Sequence, residues 1–438
     1  MRSPRRIFFF FIAAATYYRG DNSTICRPLN NTTLKRTITL PFLIFYGVGT
    51  MVGGGFYALM GKVAGVAGMA TPLAFGLTGL LALLTALSFA ELSSRYPVSM
   101  GSARYVYEGF GSVGLSKLTG WLVIISGIVS AATLAVASAG FLNDMLAVHP
   151  IAGVIIIVVI MVAVASWGIG EAVAVVTIIT AIEVLALVYI FVANMDSLSQ
   201  VPTRWPELLS LAEPGQFQWM SICAASFLAF YAMIGFEDMV TLAEEVKNVR
   251  WVLPIAIVTS ILVTTLLYIG VSTVAVLTLD INVLADSATP LAELVRDRGR
   301  VATLGVWVVS LMTGLNGALV QFIMAARVAY GMSQNSQAPS WLGRVNSRTR
   351  TPMSATLAAG TVGLLLALLL PLTLLAKITS AILLGVFAMI NLALWRIKGK
   401  RIQDTNPSGP RIPRWVPMMG FAISLLMLLF QGWYELIG

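Results

Sequence analysis

Eleven apolar stretches run through this chain, at roughly 38–63, 70–92, 118–141, 150–168, 171–194, 219–242, 252–277, 303–330, 353–371, 375–396 and 414–436. Each approaches or exceeds the roughly 20 residues that a helix needs to cross about 30 Å of hydrocarbon. In lipid every backbone N–H and C=O must be satisfied inside the protein, so the pattern predicts an all-α, polytopic membrane protein. Composition agrees: 58% of the residues are hydrophobic, 11% are charged and the mean hydropathy is +0.87, which excludes a soluble domain of this length. The net charge of +9 does not point to nucleic acid, because the basic residues sit in short loops between the spans.

Those basic residues orient the chain. If the first span runs from inside to outside, the inner loops from Lys35 onward hold seventeen Lys and Arg and the outer loops five. The positive-inside rule then predicts a cytoplasmic N-terminus in the cell membrane and, after eleven crossings, an outer C-terminus. Residues 1–34 stand apart. Arg2, Arg5 and Arg6 precede an apolar run, Ile7 to Tyr18, too short to span and followed by no clear small-residue cleavage site. This tail reads as a disordered extension or a start placed too far upstream. Asn22 and Asn31 open glycosylation sequons that would stay bare on the cytoplasmic side. Cys26 lies in the tail and Cys223 in a span, so no disulfide framework is expected.

The first span carries the sharpest local signal. From Phe45 to Gly61 it reads FYGVGTMVGGGFYALMG, with Gly53, Gly54 and Gly55 in succession. Each glycine costs a helix about 1 kcal/mol relative to alanine, so the run invites the helix to open. Many transporters expose backbone groups to a substrate through such a discontinuous helix at the midplane. Close helix packing is the competing reading; for three consecutive glycines, opening is preferred. The sixth span has a second interruption, where Tyr231, Gly235 and the carboxylates Glu237 and Asp238 sit inside an apolar run. Carboxylates at that depth need a cavity or a partner. The two odd helices stand five spans apart, which fits an inverted five-plus-five repeat. Within a transporter domain of 35–438, the halves are 38–194 and 219–396, and 414–436 is an added helix.

Four motifs then carry a family resemblance. Gly53-Gly54-Gly55-Phe56-Tyr57 resembles a G-x-G-I-F opening. Ala90-Glu91-Leu92, Tyr96-Pro97 and the run from Gly101 to Tyr107 resemble an A-E-L…Y-P…G-G-x-Y-x-Y loop. Ala243-Glu244-Glu245-Val246-Lys247-Asn248 with Leu253-Pro254 resembles A-E-E-x-K-N-P…P-x-A-I, and Arg327, Tyr330, Met332, Pro339, Thr351-Pro352 and Ala355 resemble R-x-x-Y-x-M…P…T-P-x-x-A. In this order the motifs resemble those of the amino acid–polyamine–organocation transporters, over about residues 34–437. The resemblance implies a leucine-transporter-like fold and movement of amino acids by alternating access, with polyamine or other organocation exchange as the alternative. Val249 and Ser102 depart from the motifs, standing where proline and glycine are expected. Glu183 aligns with a lysine that many amino-acid permeases carry in span five, which turns a cation into a carboxylate.

An amino acid stripped of water needs partners for one carboxylate and one ammonium. Opening at Gly53, Gly54 and Gly55 offers amide donors at the positive end of the outer half-helix. Opening near Ala229, Phe230, Tyr231 and Ala232, with Gly235 beyond, offers carbonyls to the ammonium. The resemblance points to the same atoms and puts Tyr231 over the substrate; by spacing it reads equally as a packed interfacial ring. Glu183 is the first candidate for carrying a coupling proton, since a carboxylate in an apolar span favours its neutral form. Glu237 is the second, and reads equally as a fixed charge bracing the broken helix. Ser310 and Thr313, with Asn316, stand where sodium-coupled relatives hold an ion, although such residues often only pack.

Lys377 can pair with an acid or snorkel, and snorkelling is the preferred reading. Arg95, Arg104, Arg327, Glu244 and Glu245 map to the inner face, as a gate or as solvated charges. No charged residue is clearly placed for a charged substrate side chain, which favours neutral amino acids. A membrane enzyme would need a catalytic cluster, but this chain has one histidine, His149, and two distant cysteines, with loops of ordinary length. No cofactor, metal site or chemical transformation is therefore expected. A nutrient sensor that binds without transporting would keep the same pocket.

Overall fold

The structure is a computed structural model that describes residues 36, 38–97, 101–167, 172–209, 218–243, 245–334, 337–346, 351–399 and 409–437. The tail 1–34 and Glu244 lie outside the described residues. The first apolar stretch is split into α1 (Leu40–Val52) and α2 (Gly55–Ala67). Then come α3 (Thr71–Arg95), α4 (Gly101–Phe110), α5 (Val113–Leu146), α6 (Pro150–Trp167), α7 (Ala172–Ala193) and α8 (Val201–Leu208). The second half holds α9 (Gln218–Ala229), α10 (Val249–Thr278), α11 (Ile281–Asp286), α12 (Pro290–Glu293), α13 (Arg300–Gln334), α14 (Met353–Leu369), α15 (Leu372–Gly399) and α16 (Trp415–Ile437). Seven described helical stretches are long and apolar enough to cross a membrane, a bent pair over 179–208 makes an eighth, and 40–52, 150–166 and 353–369 are shorter apolar helices.

Helix ends follow local chemistry. Pro72 sits in the first turn of α3, where a missing N–H costs nothing. Ser112 caps α5 by accepting the Leu115 N–H at 3.3 Å. Gly68, at φ 58°, turns the chain between α2 and α3.

Packing joins helices of equal rank in the two halves. The most extensive contacts set α3 against α10 and α5 against α13, while α6 meets α14 and α2 meets α9. The outer faces of α6, α7 and α16 stay apolar, with Ile156, Val159, Leu185, Val192, Leu426 and Leu429 all exposed. Water would penalise patches of that size; acyl chains cover them.

Inside, Phe89 meets Tyr105, Phe236 and Phe387 edge-on, with ring centroids 6.0, 5.6 and 5.6 Å apart. A polar seam runs beside them. Asn391 of α15 accepts a hydrogen bond from Ser88 (2.6 Å) and donates to Thr85 (3.0 Å), both on α3. Gly420 lets α16 press against the same amide. Lys377 takes the less favoured of its two readings: it pairs with Glu435 at 2.5 Å, tying α15 to the end of α16.

Candidate functional site

The first helix breaks between Val52 and Gly55. Gly53 and Gly54 take φ −46° and −18°, so left-handed backbone is not what demands glycine. Space demands it. A Cβ on Gly54 would lie 2.5 Å from Leu134 Cδ2 and 3.0 Å from Gly314 Cα, and one on Gly55 would lie 3.1 Å from Ala232 Cα and 3.2 Å from the Tyr231 ring. At Gly53 nothing comes nearer than 3.4 Å. Opening and close packing, rivals in the sequence, occur together at this run.

The second break follows α9. A 3₁₀ turn covers Phe230–Met233, Ile234 is extended, and Gly235 takes φ 126° before a second 3₁₀ stretch, Phe236–Leu242. The Thr50 hydroxyl is shared between the carbonyls of Gly47 (3.0 Å) and Gly235 (3.1 Å), which ties one break to the other. The Gly235 N–H donates to Glu237 Oε2 at 2.8 Å. Tyr268 of α10, which sequence reasoning missed, sets its hydroxyl 2.7 Å from the Met51 carbonyl and 3.1 Å from that of Ala232. One phenol thus serves the loose ends of both broken helices, and its ring stacks on Phe56 at 4.1 Å. The only sequence signal was a tyrosine deep in an apolar helix, whose hydroxyl must find a partner.

Between the breaks lies a cavity of about 50 Å³. It is walled by the Gly49–Gly55 region, Ser130 and Leu134 of α5, Tyr231, Ile234 and Asp238 of the second break, and Asn316 and Gln321 of α13. Such a volume admits a few waters and falls far below the roughly 300–1,000 Å³ of ligand pockets. Contacts between distant segments flank it. On the basic side, Ile38 pairs with the segment after the second break, donating to the Glu245 carbonyl (3.1 Å) and accepting from Lys247 N (3.0 Å). On the other side α11 and α12 cover α2: Gly61 packs on the Leu284 carbonyl, Lys62 donates to the Ala285 carbonyl (2.5 Å), and Thr289 donates to Asp144 Oδ2 (2.5 Å).

The expected site residues divide. Gly53, Gly55 and Tyr231 line the cavity, with Gly54 and Ala232 packed directly behind them. The Tyr231 hydroxyl lies 2.9 Å from Ser130 Oγ and donates to the Ser130 carbonyl at 3.0 Å. Ala229 ends α9, and Phe230 turns away to Phe387, 5.8 Å between centroids. Asp238 also lines the cavity, in keeping with the need of a carboxylate at that depth for a cavity or a partner.

Glu183 is fully buried, and among the described residues neither carboxyl oxygen has a hydrogen-bond partner. Its backbone carbonyl accepts from the Tyr57 hydroxyl at 2.7 Å. Thr313 lies beside the carboxyl, but its hydroxyl is committed to the Val309 carbonyl (2.7 Å), as Ser310 is to Val306 (2.8 Å). One turn before Glu183, Thr180 fills the space over Gly49 of α1. Of the charges that the sequence assigns to the inner face, Arg95 and Arg104 pair within their own helices, with Glu91 and Glu108. Among the described residues no histidine, cysteine and carboxylate cluster could hold a metal.

The amino acid permease family profile matches residues 38–437. A branched-chain amino acid permease of Bacillus subtilis, BcaP, is 28% identical over 428 residues, covering 92% of this chain and 90% of that protein. Cationic amino acid transporter 3 of Arabidopsis thaliana is 30% identical, with 82% of this chain and 62% of that protein covered. Human cationic amino acid transporter 4 is 28% identical, with 86% and 62% covered. The chain therefore spans about three fifths of those longer transporters and nearly all of the bacterial one. Two broken helices facing one cavity, inside a chain matched almost end to end, make this a multi-pass membrane transporter of amino acids that belongs to the amino acid permease family.

Proposed function

We propose that this chain is a secondary active transporter that carries an amino acid across the cytoplasmic membrane by alternating access. The substrate carboxylate sits at the amides of Gly53, Gly54 and Gly55, where the α2 dipole is positive. The ammonium sits at the carbonyls of Ala229 to Ala232, and Tyr231 covers the ligand. The observation that carries this reading is the shared Tyr268 hydroxyl between Met51 and Ala232. Met51 lines the cavity of about 50 Å³, and once the breaks part its carbonyl and that of Ala232 behind it can be released from the phenol to serve an ammonium. Uptake of radiolabelled amino acids into proteoliposomes tests it. Accumulation is expected, and Gly55→Leu, which fills the contact with Ala232, abolishes it while insertion survives. Binding without accumulation by the unaltered chain would make it a nutrient sensor instead.

Coupling is assigned to protons, with Glu183 as the carrier and Glu237 second. An ionised carboxylate without partners is costly in such surroundings, and a change of water access would load or release its proton. The hydrogen bond from Gly235 favours the bracing role for Glu237. A sodium site at Ser310 and Thr313 is the weaker reading, because both hydroxyls already serve their own helix. A neutral amino acid, and a substrate with a second cationic group such as a cationic amino acid or a polyamine, are the two substrate classes to be distinguished. Competition of lysine and of leucine against a common labelled substrate separates the two.

A further inference from the structure

A larger cavity, about 450 Å³, opens on the protein surface where α15 ends and α16 begins, and it shares no residue with the central one. Trp395, Arg414, Trp415, Met418, Met419 and Ala422 line it. The last four follow at i, i+3, i+4 and i+7, a single stripe along α16. Trp415, Met418 and Met419 are 58%, 42% and 44% exposed. At the mouth the Arg414 guanidinium stands 4.6 Å over the Trp395 ring, and no described carboxylate pairs with it.

This mouth is built. Glu91, at the end of α3 and 1% exposed, pairs with Arg95 (2.6 Å) and Lys398 (2.7 Å) and accepts the Ile412 N–H at 2.9 Å. Lys398 also donates to the Ile412 carbonyl at 2.7 Å. These contacts anchor the strand of chain leading into α16, so Arg414 projects from a fixed point. Lys398 is neutralised by Glu91, yet residues 396–414 hold six basic side chains against one acid, Asp404.

We propose that this groove binds an anionic phospholipid, its phosphate on the Arg414 guanidinium and its first methylenes along Met418 and Met419. A guanidinium presents paired donors that match phosphate oxygens, and the ring beneath it restricts its rotamers. Basic residues at the membrane boundary attract anionic lipid. An interfacial aromatic belt accounts for the two tryptophans but leaves a cation without an acid between them. A second copy seated by two-fold symmetry on an axis through the groove would set Arg414 against its own mate, like charge on like. The proposal does not depend on which substrate is carried.

The full chain reconstituted in vesicles of phosphatidylcholine, and in an equal mixture of phosphatidylcholine and phosphatidylglycerol, reads the site directly. The melting midpoint is expected to be higher in the mixture, and native mass spectrometry should find phosphatidylglycerol retained. Arg414→Gln should remove most of both effects and leave the midpoint in phosphatidylcholine unchanged. Arg344→Gln, at another exposed basic-side arginine, should leave both intact. If Arg414→Gln does not fold, Trp395→Leu removes the ring under the guanidinium without touching charge and reads the same difference. Lipid dependence that persists without Arg414, or is lost equally in Arg344→Gln, overturns the site. So does a change in cross-linked dimer in place of the lipid effect, which would make the groove an interface between copies.

Discussion

Gly235→Ala should be the most damaging one-methyl change at the centre of this transporter. Gly235 adopts φ 126° and ψ −21°, a conformation that side-chain-bearing residues rarely take. Strain of that kind costs about 1–3 kcal/mol. The new methyl would also stand 2.6 Å from the Thr50 carbonyl oxygen and 2.7 Å from its carbon, both backbone atoms. Forcing a methyl into packed surroundings adds about 1–3 kcal/mol, and Thr50 is held in place by its own hydroxyl bond to Gly235. Together the penalty is about 2–6 kcal/mol. At about 1.4 kcal/mol per factor of ten, this arrangement loses at least about 25-fold in population against states in which the breaks separate. The assay is uptake in proteoliposomes beside the melting midpoint of the same preparation. Gly53→Ala is the matched control for packing, since its Cβ meets nothing nearer than 3.4 Å, and its melting midpoint should be that of the wild type. Normal uptake and melting in Gly235→Ala would refute the idea that backbone contact keeps the two breaks in register.

Three further outcomes follow from the same geometry. Tyr231→Phe gives up the hydroxyl bonds to Ser130, worth about 1 kcal/mol, whereas Tyr231→Ala also opens a cavity at about 3–5 kcal/mol. The apparent KM should therefore rise much more in the alanine variant, and equal damage would replace the lid role with a hydroxyl role. Tyr268→Phe keeps the stack on Phe56 but strips the shared donor from Met51 and Ala232, so the melting midpoint should fall by the equivalent of about 1–3 kcal/mol; an unchanged midpoint would mean that water serves those carbonyls equally well. Acidic outer pH should speed uptake by supplying the proton that Glu183 carries, and Glu183→Gln should flatten that response while binding survives. Replacing sodium by choline should change nothing, and a strict sodium requirement would move the coupling site to Ser310 and Thr313.

The helices and both breaks were legible because the cause is local. Lipid demands apolar segments of about 20 residues whatever surrounds them, and consecutive glycines weaken a helix wherever they stand. The motifs from Gly53 to Ala355 could likewise be read in order without coordinates. What the sequence could not contain was which helix faces which. Nothing in the glycine run separates Gly53, which has room, from Gly54 and Gly55, which touch Gly314 and Ala232. Tyr268 reaches Met51 across 217 positions, and Lys377 finds Glu435 across 58, where snorkelling was the local expectation. The positive φ of Gly235 is imposed by the approach of Thr50, 185 positions away. Local propensity therefore decided where the chain spans and opens, while contacts between distant helices decided which atoms meet in the centre and which buried carboxylate, Glu183, was left without a partner among the described residues.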